Sequence, residues 1–183
     1  RLLGLGFPIG IRPDPLRVAE ELAMIDVISR GRLEMGFIKG VPHEFIPANR
    51  SPVRIMDRFW EAHDLIVKAM RTHDGPFSWE GEYFHYRSVN IWPRPWQQPH
   101  PPVWTSVGSM HNVKNVAMRG YTMASFINGW QKSKDLFSEY RKEWALAGHK
   151  GPVPLERFAY LGMVAVASTE AEAQRRGAQV RGY

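Results

Sequence analysis

No cysteine occurs in the 183 residues, which excludes disulfides, zinc–thiolate centres and thiol catalysis. No run of about 18 apolar residues is present, so no membrane partner is expected. No Gly-x-Gly-x-x-Gly follows an apolar run, which leaves a dinucleotide-binding Rossmann site without support. No internal repeat and no linker divides the chain. The net charge is +6, yet Lys and Arg are interspersed with Asp and Glu, and the densest pair is Arg175-Arg176. A nucleic-acid interface would gather such charges on one face or in one run, so no nucleic-acid partner is expected. No secretory leader is visible: the opening Arg-Leu-Leu-Gly-Leu-Gly reads as the inside of a strand. Without an initiating Met it reads as a truncated start, and a cytoplasmic setting is the expectation.

What is present is an alternation of short apolar runs and amphipathic stretches. With 44% hydrophobic and 23% charged residues, the chain suits one domain, residues 1–183, with a real core. The stretch Arg12 to Gly40 sets the pattern. Asp14 is a good N-cap and Pro15 suits the first helical position. Ala19, Leu22, Ala23 and Asp26 fall on neighbouring turns, Ile25, Val27 and Ile28 add apolar surface, and Gly31 is the expected stop. Leu2 to Ile9 before it and Leu33 to Ile38 after it read as strands, so the unit is a parallel strand-helix-strand crossover.

The loop Val41 to Pro52 follows, holding three prolines and His43-Glu44; loops after parallel strands sit at the functional edge of such sheets. A helix is expected over Val53 to Met70. The segment Gly75 to Pro102 is rich in aromatics. Phe77 to Phe84 reads as a hairpin turning at Glu80-Gly81, and Pro93 to Pro102 as an extended connection. Val103 to Val107 is a strand, and Gly108-Ser109 leads into a helix over Met110 to Arg119 that Gly120 ends. A Gly-Ser turn entering a helix presents free backbone N–H groups and a positive dipole end, an anion site in outline. Tyr121 to Ile127 reads as a strand, Lys134 to Ala147 as a helix, and Arg157 to Ala167 as the fifth strand. Thr169 to Glu172 reads as a capping box opening a last helix that runs to Tyr183. Alternating α/β order permits a doubly wound sheet or a (β/α) barrel. A full barrel needs eight strands and about 250 residues, so five strands suggest the later part of one.

The helix-turn-strand from Pro15 to Gly36, closing on Lys39-Gly40, resembles the bacterial luciferase-like flavin-dependent monooxygenases. The resemblance rests on the proline-led helix, Ala19-Glu20, Asp26 before Ser29-Arg30-Gly31-Arg32, and the strand ending in a basic residue and glycine. It extends through Pro102-Val103-Trp104, Gly108-Ser109 and Thr169 to Ala173, nearly the whole chain. It implies a (β/α)8 TIM-type barrel, present here from about strand three to strand seven, with residues 75–102 as an aromatic and proline-rich insert. It implies reduced FMN delivered by a flavin reductase, reaction with dioxygen through a C4a-peroxyflavin, and oxidation of a small organic substrate. A related branch uses a deazaflavin for hydride transfer. Carried over by position, Lys39 with Gly40 matches the basic residue that contacts the flavin phosphate, commonly an arginine. Ser109 matches the phosphate-holding serine, with Gly108 and Met110 supplying N–H groups. Asn112 stands where relatives can carry a hydroxyl, and Phe7, with Gly6, matches the strand end beside the isoalloxazine ring. The catalytic residues are expected in strands that precede this chain, and the insert is expected to act as a lid or pocket wall. A homo-oligomer is expected, because a partial barrel leaves strand edges open.

Two other readings stand beside this one. A metal-dependent barrel hydrolase would draw ligands from His43, Glu44, His63, Asp64, His85 or His100, but His43-Glu44 lacks the second His of a His-Glu-x-x-His site, and no metal is expected. A non-catalytic binding subunit on the same scaffold would keep the fold and lose the flavin.

Overall fold

The structure, a computed structural model, describes residues 1–180. The end of the last expected helix, residues 181–183, lies outside the described residues. The chain divides into two compact units, Arg1–Ser106 and Val107–Tyr183.

In the first unit, β1 (Leu2–Phe7), β2 (Leu33–Phe37) and β5 (Val103–Val107) run parallel in the order β1-β2-β5. Helix α1 (Pro15–Ser29) links β1 to β2. Asp14 caps it as expected, its carboxylate accepting from Leu16 N at 3.0 Å and Arg17 N at 3.2 Å. The stop comes one residue before Gly31: Arg30 is already left-handed at φ 54°, and Gly31 follows at φ 74°. The buried stripe is Val18, Ala19, Leu22, Ala23, Asp26 and Ser29, while Ile28 is exposed. The loop after β2 contains one short helix, α2 (Pro42–Phe45), closed by Glu44 accepting from Val41 N at 2.8 Å. Helix α3 (Ile55–Arg71) then buries Phe59, Ala62, Leu65, Ile66, Ala69 and Met70.

The aromatic segment forms a hairpin, β3 (Phe77–Glu80) paired antiparallel with β4 (His85–Val89); the second strand begins after the expected Phe84, because the N–H groups of residues 82–84 turn to the Glu61 carboxylate instead of a ladder. It is strapped to α3. Glu61 accepts from Trp79 Nε1, Glu82 N, Tyr83 N and Phe84 N. Arg54 forks onto Glu82 at 2.5 and 3.0 Å, and the Arg58 guanidinium stacks on Phe84 at 4.1 Å. Tyr86 Oη donates to the Asp14 cap at 2.9 Å. These contacts fix the hairpin against α3 and the Asp14 cap of α1. The proline-rich connection has no regular structure from residue 93 to 102. It is tied to α1 by Gln97, which donates to the buried Asp26 carboxylate from its backbone and its side chain, both at 2.8 Å.

β1 has β2 on one side and, among the described residues, no strand on the other, and Leu2, Leu3 and Leu5 are exposed along it. An uncovered apolar edge is a template for pairing with another chain. Sedimentation velocity on the isolated chain is therefore expected to show concentration-dependent self-association. A Leu3→Lys, Leu5→Lys variant should shift the population toward monomer; a monomer at every concentration would refute the edge argument.

In the second unit, β6 (Thr122–Phe126) and β7 (Phe158–Leu161) pair in parallel, with helices α4 (Met110–Met118), α5 (Trp130–Leu146) and α6 (Glu170–Val180). Two expectations are corrected. α5 begins four residues before the expected Lys134, and β7 stops six residues before the expected Ala167. The capping box of α6 is half made: Thr169 Oγ1 accepts from Glu172 N at 3.3 Å, while the Glu172 carboxylate takes Ser168 and Arg176. Among the described residues no helix is long and apolar enough to cross a membrane.

Candidate functional site

The expected site residues fall in both units, so each group is built by itself. In the first unit the ends of β1 and β2 are stitched together by Phe7 O, which accepts from Ile9 N at 2.9 Å and Ile38 N at 3.0 Å. Gly6 cannot carry a side chain here, because a Cβ would lie 2.4 Å from Ile38 Cγ2. The Leu5–Gly6 peptide is cis. The half-buried Phe7 ring lies back over Gly4, where a Cβ would meet its Cε2 at 2.6 Å. Lys39 is exposed and, among the described residues, pairs with no carboxylate. Gly40 turns the chain at φ 91°. Glu44 Oε2 sits 3.1 Å from where a Gly40 Cβ would be, so a carboxylate lies against this turn. The first unit thus brings Phe7, Lys39 and Gly40 to the ends of two adjacent parallel strands.

In the second unit Gly108, Ser109 and Met110 form one continuous turn into α4. Ser109 is the N-cap with extended backbone, φ −141° and ψ 147°, but its hydroxyl caps nothing. The first N–H groups of a helix have no partner within it. With the cap side chain unused, those of Met110 and His111 remain for an incoming acceptor, at the positive end of the helix dipole. Asn112 Nδ2 donates to Ser109 Oγ at 3.3 Å, which leaves the hydroxyl proton free to point outward. The space over Gly108 is open: a Cβ there would meet only Asn128 Oδ1, at 3.6 Å. The turn therefore fits a phosphate, with donors, a favourable dipole and room above the glycine.

Sequence reasoning passed over Asn128. Its amide nitrogen donates to Val107 O and to Ser125 Oγ, both at 3.1 Å. Ser125 and Ser133 hydroxyls, both buried, meet at 2.6 Å, and Ser133 Oγ donates to Gly129 O at 2.7 Å. The available signal was the Asn128-Gly129 pair, a turn marker between an apolar run and a helix. It was obscured because the helix was expected to start only at Lys134.

The residues weighed for metal binding are dispersed. His63 is buried between the Phe37 and Trp60 rings, with Nδ1 2.8 Å from Asp64 Oδ1. His85 faces Glu80 at 3.4 Å, and His100 Nδ1 lies 2.7 Å from Pro101 O. Burial lowers the His100 pKa, favouring the neutral ring. Three-residue clusters of metal-ligating type are absent among the described residues.

The chain superposes over 100% of its length on 55% of a monooxygenase from Streptomyces bottropensis, at a TM-score of 0.82 and 28% identity. It is 32% identical over 108 residues to the oxygenase component of the flavin-dependent trigonelline monooxygenase of Acinetobacter baylyi, covering 57% of this chain and 29% of that one. It is 25% identical over 167 residues to the FMNH2-dependent dimethylsulfone monooxygenase of Pseudomonas putida, covering 87% of this chain and 43% of that one. The chain thus spans less than half the length of these two relatives. The family model described as luciferase-like monooxygenase matches residues 3–183, and the chain belongs to the luciferase-like monooxygenase family.

Proposed function

We infer that this chain is the phosphate-holding part of a flavin-dependent monooxygenase that takes reduced FMN from a separate flavin reductase and oxidises a small organic substrate. In this reading β1, β2, β5, β6 and β7 are the third to seventh strands of a (β/α)8 barrel, and residues 75–102 are an insert. The observation that carries it is the uncapped start of α4 behind Gly108-Ser109. The relatives' flavin dependence and the name "oxygenase component" support the cofactor and the reductase.

Reduced FMN, when bound, supplies the activation of dioxygen for transfer of one oxygen atom to the substrate. This chain's residues bind and orient it. Ser109 Oγ would donate to a phosphate oxygen, and the Met110 and His111 N–H groups would add two further donors. Lys39, in the first unit, would offer a charge without the bidentate fork of an arginine. Phe7, with Gly6, stands for the edge beside the ring system, where an apolar wall keeps water out.

The test is an anaerobic titration of the full-length protein with reduced FMN, repeated on a Lys39→Ala, Ser109→Ala variant. Affinity is expected to fall at least tenfold, about 1.4 kcal/mol. Unchanged affinity in the variant would remove the phosphate assignment. No FMN binding, with binding of a deazaflavin, would move the protein to hydride transfer; binding of neither would favour a non-catalytic subunit on the same scaffold.

A further inference from the structure

The hydrogen bonds around Asn128 form one self-consistent chain of donors and acceptors that ends at the Gly108-Ser109 turn. Ser133 has one hydroxyl proton, and it goes to Gly129 O at 2.7 Å. In the 2.6 Å contact between the two serines, Ser133 Oγ must then accept, and Ser125 Oγ must donate. Ser125 Oγ, its single proton used, accepts from Asn128 Nδ2 at 3.1 Å. The second Nδ2 proton goes to Val107 O at 3.1 Å. Rotating the amide by half a turn would set its oxygen against the Val107 carbonyl, so the NH2 stays where it is. Oδ1 is left facing Gly108, 3.6 Å from the position of a Cβ there. The relay is anchored where solvent does not compete, since Ser125 and Ser133 are 0% and 1% exposed. It joins the end of β6 and the first turn of α5 to the last residue of β5. Ser109 caps no N–H of its own helix, and its hydroxyl is held from within only by Asn112 Nδ2, at 3.3 Å; the external brace is Asn128.

We propose that Asn128 is a positioning residue for the flavin phosphate: through Val107 O it holds the Val107–Ser109 turn so that the α4 N–H groups face the ligand. This rests on the phosphate reading above. A relay anchored in two buried hydroxyls is rigid, and a turn held to one geometry binds an anion without an ordering cost at the moment of binding.

The test compares FMN with riboflavin, which lacks the phosphate, on the full-length protein and on Asn128→Ala and Asn128→Asp. The parent is expected to prefer FMN. In Asn128→Ala, FMN affinity should fall at least tenfold while riboflavin affinity holds, so the preference for FMN collapses. Asn128→Asp, nearly the same shape, should lose as much, because it turns an acceptor toward the Val107 carbonyl and adds a negative charge beside the phosphate. A purely structural role would lower both ligands together. Equal losses for FMN and riboflavin, or no loss, would overturn the proposal. A parent that does not prefer FMN would overturn the phosphate reading and this proposal together. Should Asn128→Ala not fold, Ser133→Ala breaks the relay one step further away, and a change in the FMN-to-riboflavin ratio of less than twofold there would overturn the proposal.

Discussion

Replacing Asp26 with alanine is expected to lower the unfolding free energy by about 3–4 kcal/mol, since hydrogen bonds to a charged group contribute about 1.5–3 kcal/mol each and two are lost. Asp26 is 0% exposed in α1, and its two oxygens take the Gln97 backbone N–H and side-chain amide. The same amide nitrogen also donates to Leu33 O at 2.8 Å, at the start of β2. One carboxylate therefore joins helix, strand and proline-rich connection. Alanine leaves a buried N–H and an amide proton without acceptors, and the desolvation already incurred is not recovered. Asparagine keeps the shape and one acceptor, so about half the loss is expected. Urea denaturation of parent, Asp26→Ala, Asp26→Asn and Gln97→Ala would measure this. Gln97→Ala should also be costly, because Asp26 Oδ1 loses its side-chain donor inside the protein while only the backbone N–H remains on the carboxylate. A loss below about 1 kcal/mol for Asp26→Ala, the size of an ordinary surface change, would show that the connection does not depend on this carboxylate.

The second large effect is expected at Glu61. Three successive backbone N–H groups, of Glu82, Tyr83 and Phe84, and the Trp79 indole converge on its carboxylate at 2.9–3.2 Å. Such a turn binds an anion, and here the anion is supplied by α3 itself. Part of the cluster is exposed, so Glu61→Ala is expected to cost about 2–3 kcal/mol rather than the sum of four charged hydrogen bonds. The effect should be local as well as global: amide exchange at residues 82–84 should lose its protection. Gly81→Ala offers an independent check, since a Cβ at Gly81 would lie 1.8 Å from Glu61 Oε1. It should break the same latch, and the double variant should cost little more than either single one. Additive losses would mean that the two residues act separately. Retained protection at 82–84 in Glu61→Ala would mean that the Arg54–Glu82 fork and the Arg58–Phe84 stacking hold the hairpin without it.

Both residues show where reading the chain alone runs short. Asp26 was recognisable as part of a motif, while Glu61 carried no such mark. Their partners lie 71 and 18–23 positions away, and nothing local marks them. The same holds at the candidate site. Ser109 and Gly108 were legible because the turn and the helix start are adjacent in sequence. Asn128, whose contact with Val107 spans 21 positions, was not.

The sequence by itself determined the strand-helix alternation, the Asp14-Pro15 helix start, the aromatic hairpin and the Gly108-Ser109 entry to α4. Each depends on chemistry within a few residues: a side chain reaching its own next turn, a ring that fixes φ, or an apolar period. Only the tertiary structure decided the length of β7, the start of α5 and the braces at Asp26, Glu61 and Asn128. β7 is apolar enough to continue past Leu161, but its ladder partner β6 ends at Phe126, opposite Leu161, and a strand is hydrogen-bonded only as far as its neighbour reaches. α5 starts behind Gly129, which has no capping side chain, and its first turn is tied back by Ser133 bonding to Gly129 O and to Ser125. A partner that folding supplies from elsewhere in the chain leaves no mark in local composition, because its energy comes from burial and pairing that exist only once the elements have met.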